Sequence, residues 1–495
     1  MNCFIKNNLI SLPPKGENIY LIGAGGCGMS ALGHILLDLG YRVSGSDMQL
    51  NKNILQLKER GAKIFQGHNE KNIDETKPVL VIYSSAISPD NPELRRARQL
   101  NIYPIKRGAF LSDIVNDTNL VSVAGMHGKT TTTSMLAYGF ELFGCCGGYA
   151  IGWNVPQLKR HGKINCESLK NNLQQRNYFV IEADESDGTL NFYNPQHLIV
   201  LNIDHEHMDY FGSFESVKNE FLSLMERTRG NVVYCADDEI LSQIIVKKQN
   251  YYSYGINELA DYRIVMKCVD ADGQTFDVFK KSELFGAFTS KLMGFHNVLN
   301  STAVITLLDL IGIGKKEIWQ LINSFRGAER RQEELFNDGK IRVIDDYGHH
   351  PTEIRATVKA IRRFKRLIVV FQPHRFTRTR DLQVEFGRCF EGADSVIVMD
   401  IYGAGEKPIP GVSSQLIVNQ ILKNGIPSEF VPDEKSVCEK VLKNLTDGDV
   451  VLFCGAGANV TELAHKVAAI LSKKENNANE TADCSAITVR TRDSR

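Results

Sequence analysis

The sequence predicts an α/β protein of three domains: a Rossmann-like N-terminal domain, a central domain on a P-loop-type parallel sheet, and a C-terminal Rossmann-like α/β domain. Three observations predict it. The chain has 495 residues, enough for about three domains at roughly 100–200 residues each. Short apolar strand cores alternate with helical patterns, the signature of parallel sheets covered by helices. Two strand-to-helix turns are glycine-rich in the manner of phosphate-binding loops. Lys plus Arg equals Asp plus Glu at 58 each, which argues against broad nucleic-acid or anionic-membrane binding. The 11 cysteines contain no C-x-x-C and read as reduced thiols of a cytoplasmic protein. No signal peptide is recognisable at the N-terminus, and no run approaches the roughly 18 apolar residues of a membrane helix.

The first domain, placed at 1–117, opens with NIYLIGAGGCGMSALGHILLDLGYRVSGSD at 18–47. A short strand, Ile19–Ile22, meets Gly23, Gly25 and Gly28. A helical pattern follows (Met29, Leu32, Ile35, Leu36, Leu39), then a strand near Tyr41–Ser44 and Asp47. This is a βαβ unit with G-x-G-x-x-G at its first turn. The next strand, PVLVIYSSAI, ends in small hydroxyl residues.

The second domain, placed at 118–333, begins with VSVAGMHGKTTTT at 121–133. The loop is two residues shorter than G-x-x-x-x-G-K-[ST]. Phosphate binding depends on its end, where helix N-terminal N–H groups, Lys129 and Thr130 face the anion and Mg²⁺, so a shorter loop remains competent. A glycine-rich turn with a capping threonine is the bland alternative. EADESD at 182–187 follows an apolar strand and places Glu182, Asp184, Glu185 and Asp187 where oxygen ligands suit Mg²⁺. NIDHEHMD at 202–209 ends the next strand and adds His205 and His207. Each cluster alone reads as a solvated turn. Three consecutive strand ends carrying GKT, carboxylates, and then His with acid converge on one sheet edge as an Mg²⁺-nucleotide site. Residues 157–177 are polar and read as a surface insertion. GFHNVLN at 294–300 opens a helix whose Asn297 either meets a base edge or caps the helix. SFRGAERRQEEL reads as a charged hinge, in which Arg330 and Arg331 either reach a phosphate or cover a surface.

The third domain, placed at 334–473, reads as a small parallel sheet built from IRVIDDYGHHP, RLIVVFQPH, SVIVMDIYGAG and DVVLFCGAGAN. His and Arg cluster at two of its strand ends, DDYGHHP (345–351) and QPHRFTRTRD (372–381), and suit carboxylate or phosphate. Residues 474–495 are polar apart from Ala486–Val489 and read as a disordered tail.

Taken together, GAGGCGMS, SGSD, SSAI, GMHGKTTTT, EADESD, HMDYF, HNVLN, RR, DDYGHHPTE and QPHRFTRTRD run in order through roughly 20–410. In this combination the chain resembles the Mur ligase family, the ATP-dependent amide-forming enzymes of peptidoglycan precursor synthesis, and in its last two motifs the alanine-adding branch. The resemblance makes the central domain the ATPase domain and implies UDP-N-acetylmuramate and L-alanine as substrates, ATP and Mg²⁺ as cofactors, and an acyl-phosphate route. It implies that ATP is held by Gly125, Met126, His127, Gly128, Lys129, Thr130, Thr131, Asn297, Arg331 and Asp346. Thr130, Glu182 and His207 would hold the metal. Gly23, Gly25, Gly28, Ser46, Asp47, His68, Ser84 and Arg107 would bind the UDP-sugar. Tyr347, His349, Arg375 and Arg378 would take the amino acid. The catalytic group would be Lys129, Glu182, His207, His349, Arg375 and Arg378. Other members carry a modified lysine about 14–15 residues after the His of H-[ML]-D; here Phe221 and Leu222 stand at those positions. The protein is expected to be a cytoplasmic monomer or weak homodimer, with no nucleic-acid or membrane partner.

Three other readings stay open from sequence. GAGGCG with Asp47 imitates the fingerprint of an NAD-dependent dehydrogenase, which leaves GKT, EADESD and HMD without a role. A related ligase attaches a recycled peptide to the same sugar. A non-catalytic nucleotide-binding protein would not use the Lys, Glu and His set.

Overall fold

The computed structural model describes residues 5–6, 9–10, 12–166, 177–185, 188–204, 211–270, 273–362 and 366–473. The expected tail, the 167–176 part of the insertion, Asp187, His205 and His207 lie outside the described residues. The chain divides into two compact units, Met1–Lys291 with Asn297–Ala328, and Leu292–His296 with Glu329–Arg495.

The first unit holds two large sheets and a short antiparallel pair, Ile5–Lys6 with Leu9–Ile10. Its N-terminal sheet has five parallel strands in the order Lys63–Gln66, Arg42–Asp47, Asn18–Ile22, Leu80–Tyr83, Pro104–Lys106. Ile19, Tyr20, Leu21 and Ile22 are all fully buried, as a central parallel strand covered on both faces requires. Each such aliphatic side chain contributes about 1.5–3 kcal/mol by leaving water. The glycines of the first turn lead into the helix Cys27–Asp38, which has no side-chain cap.

The second sheet has ten strands, in the order Gly162–Ile164, Cys146–Ala150, Tyr178–Glu182, Asn119–Ala124, His197–Val200, Val232–Cys235, Tyr251–Gly255, Tyr262–Asp270, Gly273–Lys280, Glu283–Ser290. Its middle is parallel, which puts the ends of Asn119–Ala124, Tyr178–Glu182 and His197–Val200 side by side. The last three strands form an antiparallel meander that extends the expected parallel sheet. The meander buries Tyr262, Ile264, Phe276 and Val278 while Arg263 and Asp277 are only partly covered, the period-2 pattern of a one-sided sheet.

The expected surface insertion is in part a packed element. His161 and Ile164 are buried, and Gly162–Ile164 pairs antiparallel with Gly148–Ala150. Arg160 donates to Asp38 at 2.8 Å, the Ile164 N–H donates to Asp38 at 3.1 Å, and the His161 Nε2 lies 2.7 Å from the Ser30 hydroxyl. A Cβ at Gly162 would sit 2.1 Å from the Ala31 carbonyl oxygen. These polar residues face polar partners on the helix Cys27–Asp38, a situation that composition alone does not separate from exposure to water.

The second unit is a six-stranded sheet ordered Glu333–Asn337, Arg342–Asp346, Asp449–Cys454, Arg366–Phe371, Ser395–Val398, Ser428–Phe430. The first strand is antiparallel and the others are parallel. Its two faces are closed by separate apolar clusters, one around Val369, Phe371 and Phe386, the other around Val451, Phe453 and Leu463. Among the described residues no helix is long and apolar enough to cross a membrane, and the nine cysteines described are unbridged.

Candidate functional site

The loop after Asn119–Ala124 folds as a phosphate loop despite its length. Gly125 (φ 137°) and Gly128 (φ 86°) take left-handed or otherwise glycine-only backbone. A Cβ at Gly128 would lie 2.6 Å from Asn300 Oδ1. Asn202, at the neighbouring strand end, fixes the loop from both sides. Its Oδ1 accepts from the His127 N–H at 2.8 Å and its Nδ2 donates to the His127 carbonyl at 2.9 Å. The helix Lys129–Leu142 starts directly at Lys129, with Gly128 as an N-cap that has no side chain. Lys129 Nζ donates to the Gly125 and Met126 carbonyls at 2.5 and 3.1 Å and to Glu185 at 2.8 Å. Burial works against its charge, but Glu185, with Asp184 and Glu182 behind it, more than offsets this and holds the ammonium above the usual lysine range.

Thr130 and Glu182 meet. The Thr130 hydroxyl lies 2.9 and 3.1 Å from the two Glu182 carboxylate oxygens. The Gly152 N–H donates to Glu182 Oε2 at 2.9 Å, so the carboxylate is oriented from a third strand end. A hydroxyl and a carboxylate oxygen are hard donors that fit Mg²⁺. A Cβ on Gly152 would stand 2.5 Å from Glu182 Oε2. Gly152→Ala is therefore expected to push the carboxylate off Thr130 and weaken binding of a Mg²⁺–ATP analogue about tenfold, about 1.4 kcal/mol. Calorimetric titration checks this, and unchanged affinity would show that the orientation of this carboxylate does not matter to the nucleotide. Asn297 is the third residue of the helix Phe295–Leu310 rather than its cap, and its Oδ1 accepts from Asn300 Nδ2 at 3.3 Å.

The residues expected at the UDP-sugar cluster at the edge of the first sheet. The Gly25 N–H donates to Asp47 Oδ2 at 2.9 Å. A Cβ on Gly28 would lie 3.0 Å from the Arg107 guanidinium, and one on Gly23 would lie 3.5 Å from the Ser84 Cβ. The Ser46 hydroxyl is 2.9 Å from His68 Nδ1.

In the second unit the two strand-end motifs come together. The rings of Tyr347, His349, His374 and Tyr402 form a ladder with centroid spacings of 5.2, 5.5 and 5.7 Å. Arg378 Nη1 lies 3.3 Å from His374 Nδ1. Arg375 has φ 73°, a strained backbone for a residue with a side chain, and its N–H donates to the Tyr402 carbonyl at 2.8 Å. Glu406 secures the next turn, accepting from the Thr377 hydroxyl at 2.7 Å and the Thr377 N–H at 3.1 Å. Burial lowers His349 to about 3 and His374 to about 4, so both rings are neutral near pH 7 and the local positive charge comes from Arg375 and Arg378. The two hinge arginines differ. Both lie over the Tyr347 ring, but Arg330 is buried and pairs with Asp345 at 3.1 Å, whereas Arg331 is half-buried and lies 3.7 Å from Glu353. Asp346 is buried and accepts from the N–H groups of Gln332 and Gly348 at 2.9 and 2.8 Å.

Asn202, Gly152, Glu406 and Tyr402 were not singled out from sequence, and Glu185 was read only as part of an acidic cluster. Asn202, Gly152 and Tyr402 sit just past strand ends, which is the signal that could have marked them. Glu406 carries no local pattern.

A lysine and a threonine at the start of a glycine-loop helix, facing a carboxylate on the next parallel strand end, define a P-loop-type nucleotide-binding α/β protein. Family profiles described as "Mur ligase family, catalytic domain", "Mur ligase middle domain" and "Mur ligase, glutamate ligase domain" match residues 18–118, 123–308 and 330–457. The chain belongs to the Mur ligase family. It is 39% identical over 449 residues to the UDP-N-acetylmuramate–L-alanine ligase of Endomicrobium trichonymphae, covering 90% of this chain and 96% of that one. It is 37% identical over 473 residues to the enzyme of the same name from Dictyoglomus turgidum, covering 94% and 98%. Among solved structures, the UDP-N-acetylmuramate–alanine ligase of Thermotoga maritima superposes with TM-score 0.78 at 27% identity, covering 92% of this chain and all of that one. A murein peptide ligase from Psychrobacter arcticus shares the fold, with TM-score 0.68 at 22% identity over 92% of this chain and 99% of that one.

Proposed function

We propose that this chain joins L-alanine to the carboxylate of UDP-N-acetylmuramic acid at the expense of ATP, in the cytoplasmic synthesis of peptidoglycan precursors. The observation that carries the reading is the meeting of Thr130 with Glu182 beside Lys129, in a chain matched over nine-tenths of its length by alanine ligases. A carboxylate is a poor electrophile, so the ATP γ-phosphoryl group passes first to the muramic acid carboxylate. The neutral amine of alanine then attacks the acyl phosphate, and collapse of the tetrahedral intermediate releases phosphate and leaves the amide.

In this scheme Lys129 and the loop N–H groups hold the β- and γ-phosphates. Thr130 and Glu182, with His207, are the residues that would hold Mg²⁺, which when bound supplies positive charge against the transferring phosphoryl group. Asn297, Arg331 and Asp346 complete the nucleotide set. Arg375 and Arg378 take the alanine carboxylate beside the neutral rings of Tyr347, His349 and His374. We place the domain limits at 117/118 and 333/334.

The test is phosphate release from ATP with UDP-N-acetylmuramate and, in turn, alanine, glycine, serine and a tripeptide. Alanine should support the fastest turnover. A preference for the tripeptide would move the chain to the peptide-adding ligases, and absorbance change with NAD(H) without phosphate release would overturn the ligase reading.

A further inference from the structure

We propose that Glu93 is a positioning residue for the UDP end of the substrate, fixing His68 so that its ring presents an Nε2–H to an acceptor oxygen of the uridine diphosphate group. This rests on the reading that the first domain binds UDP-N-acetylmuramate. Glu93 is the second residue of the helix Pro92–Gln99 and is fully buried. Its Oε1 accepts from Tyr20 Oη at 2.7 Å, Asn72 Nδ2 at 2.7 Å and the Asn69 N–H at 3.3 Å. Its Oε2 accepts from the Ser46 hydroxyl at 2.5 Å and lies 3.1 Å from His68 Nδ1. Burying a carboxylate is costly unless hydrogen bonds satisfy it, and a buried ion pair is weak evidence that its groups serve stability. Here the carboxylate is wrapped by groups from four elements, and two of them, Ser46 and His68, are expected to touch the ligand.

The hydrogen positions follow from the donors. The Ser46 hydrogen goes to Glu93, so the Ser46 oxygen, 2.9 Å from His68 Nδ1, acts toward the ring as an acceptor. Nδ1 therefore faces two acceptors and must carry a hydrogen. A neutral His68 would then show a bare, accepting Nε2, and a protonated one shows a donating Nε2–H. Glu93 decides between these states. The titratable groups facing the ring are Glu93 from its helix and Asp47 from the adjacent strand, while burial and Glu93 keep the Tyr20 phenol protonated. The hydrogen bond and charge of Glu93, with Asp47, hold His68 above its ordinary value against partial burial. Burial alone would raise Glu93, but His68, Ser46, Tyr20 and Asn72 bring it below the usual carboxylate range.

The test follows the His68 ring by NMR in the full-length protein and measures the affinity for UDP-N-acetylmuramate by calorimetry from about pH 6 to about pH 9, in wild type and Glu93→Gln. The wild-type ring should keep Nδ1–H throughout and lose its Nε2 proton above about 6.5, the ordinary histidine value. Affinity should fall across the same pH range. Glu93→Gln should weaken UDP-N-acetylmuramate about tenfold or more near neutral pH, move the fall to lower pH, and leave the affinity for an ATP analogue unchanged. A wild-type midpoint at or below the ordinary value overturns the proposal without any variant. So does a folded Glu93→Gln protein with wild-type affinity and pH dependence. Wild-type protein that does not bind UDP-N-acetylmuramate at any pH would contradict the ligase reading instead, and the ring titration would still decide the Glu93–His68 arrangement.

Discussion

Lys129→Ala is expected to lower ATP-dependent turnover by about 10³-fold or more while UDP-N-acetylmuramate binds with wild-type affinity. The two halves of the prediction come from different sheets. Lys129 belongs to the loop after Asn119–Ala124, where its ammonium is held by Gly125, Met126 and Glu185. The proposed UDP cradle of Gly25, Asp47, Gly28 and Arg107 belongs to the N-terminal sheet. Stability must be controlled for. Glu185 is buried, and losing its partner leaves an uncompensated carboxylate, a change that costs about 3–5 kcal/mol in comparable buried pairs. The double variant Lys129→Ala/Glu185→Gln should regain most of that stability and none of the turnover. Calorimetry showing equal loss of nucleotide and UDP-substrate binding in the double variant would contradict the separation of the two sites.

The second large effect is expected at Glu182. Glu182→Gln keeps the size and one oxygen but removes the charge that faces the Thr130 hydroxyl and the Gly152 N–H. Mg²⁺ affinity should fall by about 100-fold or more, since even changes behind metal ligands cost about 10–100-fold. The signature is a rise in the Mg²⁺ concentration needed for half-maximal phosphate release, with recovery of part of the rate at high Mg²⁺. A variant with the wild-type Mg²⁺ dependence would place the metal elsewhere.

Much of this was legible in the sequence because strand ends in parallel sheets announce themselves. VSVAGMHGKT, YFVIEAD and NIYLIGAGG each carry an apolar run that stops at glycine or acid, and the structure brings Thr130 to Glu182 and Gly25 to Asp47 as that pattern implies. What escaped was contact made across long separations. Asn202 braces a loop 75 residues away, and Glu93 is built from Tyr20, Ser46, His68 and Asn72. No local period encodes such partners, and a glutamate at the start of a helix reads as a solvated dipole partner. The meander at 262–290 departs from the strand–helix alternation of the rest of the chain, and its own signal is the period-2 alternation of a one-sided antiparallel sheet. The buried strand at Gly162–Ile164 was hidden by polar neighbours that pair with Asp38 and Ser30.

The central claim is the proposed single metal–nucleotide site at Thr130 and Glu182, with His207 proposed as a further ligand. Its most direct test is a crystal structure with Mn²⁺ and a non-hydrolysable ATP analogue, locating the ion by its anomalous scattering. The account predicts one ion touching the Thr130 hydroxyl and a Glu182 oxygen, with His207 in its coordination sphere and Lys129 on the phosphates. An ion bound away from Thr130 and Glu182, or phosphates out of reach of Lys129, would contradict it.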